Sequence, residues 1–169
     1  VVRSGRAFTT IGTSGVVFAH TDMVTIDPLG RVHTFCCAVP GAWHVMGVTQ
    51  AAGLSLKWFR DTLCADEVAV AKQMGCDSYD LINKQVAQKR DMVRAVMEGV
   101  AYSLKDCQSL FGQMGLNINH MAACGGGAKS PIWRQMLSDL YGCDIMTVKG
   151  EGPALGVALL AGVGAGIYS

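Results

Sequence analysis

Two short glycine-rich stretches hold the residue types in this chain best suited to chemistry. Gly12-Thr13-Ser14-Gly15 stands between two β-branched and aromatic runs, and Gly125-Gly126-Gly127-Ala128 stands between an apolar run, residues 120–124, and a helical pattern. Glycine loses more backbone entropy on folding than any other residue and buries no side chain, so three in a row need a compensating interaction. Glycines let backbone N–H groups approach an anion closely, and a helix N-terminus adds favourable partial charge. The hydroxyls of Thr13 and Ser14 can donate to a phosphoryl oxygen. Without a ligand, the first stretch reads as a hairpin turn and the second as a tight turn between a closely packed strand and helix. Neither is a GxGxxG nor a P-loop, and no GK[ST] occurs. Together they suggest a nucleotide held between two backbone cradles.

Other reactive side chains have plainer readings. The seven cysteines, Cys36, Cys37, Cys64, Cys76, Cys107, Cys124 and Cys143, are odd in number and form no CxxC pair. They read as small buried residues of a reducing, cytoplasmic compartment. No Cys or His pair has zinc-finger spacing, so no metal site is expected within the chain. Asp61, Glu98, Asp106 and Asp139 fall on helical patterns as caps or solvated faces, and His44 and His120 as structural histidines. Trp58 and Trp133 fit helix-to-sheet packing, with Trp133 near enough to the triple glycine to border a base. The nine methionines read as core filler.

The chain has 169 residues, of which 50% are hydrophobic and 16% charged, with a formal net charge of +1. That composition implies a well-buried single domain and offers nothing to nucleic acid or an anionic membrane. The longest apolar run, residues 154–166, is too short and glycine-rich to span a bilayer. The chain opens on Val1 and enters a strand pattern almost at once, which reads as a piece of a longer protein.

The elements that must position the two glycine stretches follow from periodicity. Strands are predicted at 6–11, 16–20, 33–39 and 42–49, with a loop at 21–31. A helix is predicted over 51–64, with Leu54, Trp58 and Leu63 apolar and Phe59 alongside. Residues 65–88 are helical in composition but weakly periodic. The clearest helix is 89–111, where Val93, Val96, Met97, Val100, Leu104, Cys107 and Phe111 share one face and Gly112 and Gly115 stop it. A buried strand at 120–124, a helix from Pro131 capped by Ser130, a strand at 143–148 and a last helix from Pro153 complete the pattern. The last helix reads as tightly packed through its small residues, its start near Gly152 able to point at a cleft. Strands first and strand–helix alternation later give an α/β domain whose mixed sheet starts antiparallel and continues parallel.

Five blocks carry a resemblance. IGTSGVVFA (11–19), VTQAAGLSLKWFRD (48–61), RAVMEGVAYSL (94–104), CGGGAKSPIWRQMLSDLYG (124–142) and GPALGVALLAG (152–162) resemble, in that order, the C-terminal half of FGGY-type carbohydrate kinases. The stretches 43–61 and 125–137 resemble the members that phosphorylate D-xylulose. The resemblance implies a ribonuclease-H-like, actin-like ATPase domain that binds ATP with Mg²⁺ and closes on an N-terminal, sugar-binding domain. Residues 1–169 would be the C-terminal, ATP-binding domain alone. It further implies that Gly12, Thr13 and Ser14 face the β- and γ-phosphates and that Gly53 and Lys57 line the nucleotide. Gly126, Gly127, Ala128 and Ser130 would meet the α-phosphate, ribose or adenine. The family's catalytic aspartate belongs upstream of Val1, so no catalytic residue is expected in this chain and it is expected inactive alone. A loop that relatives carry is missing at Gln88–Lys89. A homodimer, a kinase for another sugar or polyol (glycerol, gluconate, ribulose or rhamnulose), a non-enzymatic ATP switch and a cysteine enzyme are the further readings.

Overall fold

In the computed structural model, residues 3–84, 87–147 and 153–167 are described, with the backbone alone for 83, 84, 87–89 and 153. The chain opens with strands β1 (Arg6–Ile11), β2 (Gly15–Thr21), β3 (His33–Cys36) and β4 (Trp43–Thr49). Helices α1 (Gly53–Leu63), α2 (Ala65–Met74), α3 (Ser78–Lys84) and α4 (Ala87–Gln113) follow. Then come β5 (His120–Cys124), a 3-10 turn (Gly127–Lys129), α5 (Pro131–Tyr141), β6 (Ile145–Thr147) and α6 (Pro153–Gly164). The sheet order is β3-β4-β2-β1-β5-β6. The four early strands pair antiparallel, whereas β5 and β6 join β1 in parallel. This is the mixed α/β architecture expected from the sequence.

Strand alternation sets the core. Ala7, Thr9 and Ile11 of β1 are buried, while Phe8 and Thr10 between them are only half-buried. The buried row continues through Val17 and Ala19 of β2, Val45 of β4, and Met121 and Ala123 of β5. Against it lies α4, whose Val93, Met97, Val100, Leu104 and Phe111 are buried at helical spacing. Two glycines let α4 settle close. A Cβ on Gly15 would stand 2.8 Å from Leu104 Cδ2, and one on Gly47 would stand 2.7 Å from Cys107 Cβ. The Ser103 hydroxyl donates to Thr49 Oγ1 at 2.6 Å and ties α4 to the end of β4. Trp133 of α5 is buried and its indole N–H donates to the Met97 carbonyl at 3.1 Å. Tyr141 is likewise buried against Thr9 Oγ1, at 3.3 Å, and desolvation holds its hydroxyl protonated well above the ordinary range. On the opposite face, Phe8 stacks on Phe18 and Phe18 on His44, with centroids 4.6 and 4.3 Å apart.

Several expectations need correction. Helix α1 exposes Leu54, Trp58 and Leu63, with Trp58 60% exposed, and buries Phe59 instead. The β1–β2 turn fixes that rotation. The Gly53 N–H donates to the Gly12 carbonyl at 2.7 Å and the Ala52 N–H to the Thr13 carbonyl at 2.9 Å, pinning the helix start. Helix α6 leaves Leu155, Val157, Leu159, Leu160 and Val163 exposed, because its apolar residues encircle it and give no single stripe to bury. Met97, Met121 and Met136 are in the core, but Met23, Met74, Met92 and Met146 are exposed. Cys64 is buried, whereas Cys36 and Cys76 are exposed. His120 is exposed at the start of β5. Helix α4 runs through Gly112 and ends before Gly115, whose φ is +79°. Gly152 and Val148 lie outside the described residues. The Gln88–Lys89 junction falls in the first turn of α4, beside residues 85–86, which also lie outside them. No described helix is long and apolar enough to cross a membrane.

The 21–31 loop is closed by an ion pair. Asp27 Oδ2 accepts from the Arg31 backbone N–H at 2.8 Å and from Nε at 2.9 Å, and Oδ1 accepts from Nη2 at 2.8 Å. The Arg31 guanidinium, with the backbone N–H, pulls the Asp27 carboxyl down to about 2. A depressed carboxyl contributes stability that is present above its unfolded value, near 4, and lost as pH falls toward about 2. Asp27→Asn should therefore lower the melting temperature at pH 7 and narrow the difference from wild type through that acid window, as calorimetric scans at stepped pH would read. Gly47→Ala should destabilise by about 1–3 kcal/mol, because the neighbouring Cys107 Cβ is anchored on a helix and cannot retreat. Equilibrium denaturation giving a Gly47→Ala variant as stable as wild type would refute the close approach of α4.

Candidate functional site

The two glycine stretches converge on one cleft of about 670 Å³. It lies where the β1–β2 turn, the start of α1, the α2–α3 turn, the N-terminal half of α4 and the β5–α5 loop meet. Of the residues singled out from the sequence, Gly12, Thr13, Gly53, Lys57, Gly126, Gly127 and Ser130 line it. Ser14 and Ala128 do not. Ser14 is half-buried in the turn, and Ala128 is buried beneath its loop.

The three glycines of the second loop serve different ends. Gly125 has φ +86°, and a Cβ there would stand 3.0 Å from the Ile11 carbonyl oxygen. A Cβ on Gly127 would stand 2.4 Å from Ile11 Cγ2 and 3.0 Å from the Trp133 ring. Both glycines are thus required by backbone conformation or packing. Gly126 has ordinary helical angles, φ −59° and ψ −42°, and a Cβ there would meet no other atom within 4 Å. Ligand approach therefore does not explain the whole run, as the sequence alone had suggested; Gly126 is the one position without a packing reason.

The loop is pinned on both sides. N–H groups of Ala128, Lys129 and Ser130 donate to the carbonyls of Gly125, Gly126 and Gly127 at 3.1–3.2 Å. Arg134 Nη1 donates to the carbonyls of Ala128 and Lys129, at 2.6 and 3.0 Å. The Ser130 hydroxyl caps α5 by accepting from the Trp133 N–H at 3.3 Å, with Pro131 in the first turn. The first loop behaves differently from expectation. The Gly12 N–H donates to the Ser14 carbonyl at 3.1 Å, so the turn itself uses that donor, and Thr13 stands exposed at the tip.

The cleft floor is apolar, formed by the buried Val93 and Met97 of α4 and Trp133 of α5, with the exposed Ile132 beside them. Its charged residues are Lys57, Lys129, Asp77 and Asp80. Lys57 pairs with Asp61 one turn along α1, Arg60 grips the same carboxylate, and the two cations hold the Asp61 carboxyl below its usual range. The Arg60 guanidinium also lies 5.0 Å from the Tyr79 ring centroid. Asp77 Oδ1 accepts from the Tyr79 N–H at 2.9 Å and turns the chain into α3. Asp77, Tyr79 and Asp80 had no signal in the sequence, because residues 65–88 lack a clear period. Lys129 adjoins the glycine run, but a single loop lysine has no sequence signal of its own.

No three His, Cys, Asp or Glu side chains among the described residues stand together as a metal site. None of the cysteines lines the cleft, and burial pushes the Cys37, Cys107 and Cys143 thiols up, away from the thiolate a nucleophile needs.

Residues 82–165 match the model of the FGGY family of carbohydrate kinases, C-terminal domain. The chain is 31% identical to the xylulose kinase of Bacillus subtilis, over 99% of this chain and 40% of the relative. It is 32% identical to the xylulose kinase of Escherichia coli, over 98% and 40%. The chain thus spans about 40% of the length of the curated relatives it matches. The Bacillus alignment runs over 197 positions, more than the 169 residues present, so that relative carries residues without a counterpart here. Among solved structures, a xylulose kinase from Brucella ovis superposes with a TM-score of 0.81 at 26% identity, over 99% of this chain and 41% of that one. Gluconate kinase from Lactobacillus acidophilus superposes with 0.78 at 23% identity, over 99% and 40%, a likeness of fold alone. The sheet order, the flanking helices and these matches agree that the chain belongs to the FGGY family of carbohydrate kinases, built on the actin-like ATPase fold.

Proposed function

We propose that this chain is the nucleotide-binding half of an ATP-dependent ketose kinase, passing the γ-phosphoryl group of ATP to O5 of D-xylulose. The observation that carries the reading is Gly126, which lines the cleft and which no neighbour requires to be glycine. Relatives named xylulose kinase, at 31–32% identity along nearly the whole chain, support the choice of sugar.

The cleft suits a nucleotide. Its lining of Val93, Met97, Ile132 and Trp133 offers apolar area to a base, and its mouth offers backbone and ammonium groups to phosphates. Thr13, with Gly12 behind it and Ser14 supporting the turn, would face the β- and γ-phosphates. Gly53 and Lys57 would line the middle. Gly126, Gly127 and Ser130, with Ala128 seating the loop from below, would meet the α-phosphate, ribose or adenine. Mg²⁺ would arrive on the ATP phosphates and neutralise charge on the transferring group; this chain is assigned no ligand to it. The sugar site and the aspartate that takes the hydroxyl proton would belong to a preceding domain of the same protein, and relatives' extra residues would insert at Gln88–Lys89. Residues 1–169 alone would bind nucleotide without transferring phosphate, since loss of a general base removes a factor of about 10²–10⁴. A second reading, gluconate as acceptor, has one observation in its favour: 28% identity to the gluconokinase of Bacillus subtilis.

Calorimetric titration with Mg-ATP tests the nucleotide site. Wild type should bind saturably, and Gly126→Val should lose binding while melting as wild type does. Gly127→Ala should instead lose about 1–3 kcal/mol of stability through overlap with Ile11 and Trp133. Unchanged affinity in Gly126→Val would remove Gly126 from the site, and no saturable binding by wild type would sink the nucleotide reading. A chain extended by its N-terminal domain should release ADP when given D-xylulose, and the 169-residue chain should not. ADP release with gluconate but not D-xylulose would transfer the assignment to the second reading.

A further inference from the structure

The charges around the cleft are unequally matched. Lys57 is tethered to Asp61 by an i,i+4 pair that draws its ammonium toward the C-terminal end of α1, away from the Gly12–Gly53 contact. Lys129 makes no ion pair among the described residues, although its backbone is fixed on both sides, by its N–H to Gly126 and its carbonyl to Arg134. It is carried by the same loop as Gly126, at the position where the cleft opens. It also precedes α5, an eleven-residue helix with no acidic residue in its first turn to complement its positive end. The nearest other charge on that helix start is Arg134, a second cation. Lys129 and the start of α5 thus share one rim of the cleft, and Lys129 has no carboxylate partner there among the described residues, while the acidic side chains Asp77 and Asp80 come from a different element, the α2–α3 turn.

We propose that Lys129 is the principal phosphate-holding cation of this cleft, ahead of Lys57. The inference rests on the nucleotide reading and sharpens it: the rim takes the phosphates of a nucleoside di- or triphosphate, and the ammonium contributes to phosphate and not to base. Lys129 is a binding and positioning residue, with no role in proton transfer.

The test compares Mg-ADP with adenosine on this chain, by calorimetry at low and physiological salt. Lys129→Gln should weaken Mg-ADP about tenfold or more, the usual worth of a hydrogen bond to a charged group. It should leave adenosine within about twofold of wild type and flatten the salt dependence of Mg-ADP binding. Lys129→Arg should recover most of the affinity, and Lys57→Gln should weaken Mg-ADP less than Lys129→Gln does. Parallel loss of ADP and adenosine, unchanged ADP affinity, or a larger loss in Lys57→Gln would each overturn the proposal. Failure of wild type to bind either ligand would instead overturn the nucleotide reading, and this inference with it.

Discussion

The start of α1 and the β5–α5 loop converge on the end of β1 so closely that a Cβ would clash at Gly53 and Gly127 and be tightly crowded at Gly125. Gly53, at the start of α1, donates to the Gly12 carbonyl, and a Cβ there would lie 2.6 Å from that oxygen. Gly125 crosses the Ile11 carbonyl and Gly127 rests on the Ile11 side chain. Because β1 is flanked by β2 on one side and β5 on the other, this point lies well inside the sheet, and Ile11 is fully buried. Elements far apart in sequence are thereby brought within reach of one ligand. The cleft is the space left above that contact.

The same contact makes the two glycine loops chemically unequal. Donors at the start of α1 are satisfied by Gly12 and Thr13 carbonyls, so that helix end offers fewer free N–H groups to an anion. The α5 end is capped by Ser130 but keeps, in Lys129, a cation with no ion pair among the described residues. One loop therefore supplies shape, and the exposed hydroxyl of Thr13, while the other supplies charge. Helix α4 underlies both through Val93 and Met97, and it is held down by the close approaches at Gly15 and Gly47. A substitution on the α4 face of the sheet would thus be felt at the cleft floor without touching a ligand.

Periodicity was enough for α4 and for the strand alternation of β1, β2 and β5, since one face of each meets a continuous core. It failed for α1, where a run containing Leu54, Trp58 and Leu63 reads as the inner face yet points outward. Hydrogen bonds from a turn 40 residues earlier fix the roll of that helix. It failed again for α6, whose composition has no polar side to orient it. The seven glycine-loop and helix-start residues that line the cleft were legible because their types are restricted by chemistry. Asp77, Tyr79 and Asp80 were not, because an acidic turn between two short helices looks the same whether it borders a cleft or open solvent.

From the sequence alone came the family, the strand and helix order, and the two loops able to approach a phosphate, because glycine runs, capping residues and five ordered blocks are local signals. The tertiary structure decided which glycines of the run are needed for packing and which one is not, since that depends chiefly on where Ile11 stands, more than a hundred positions away in the sequence. It also decided which lysine is left uncompensated. Charge pairing is settled by distance in space, and Lys57 finds Asp61 one helical turn on, while Lys129 finds no carboxylate among the described residues.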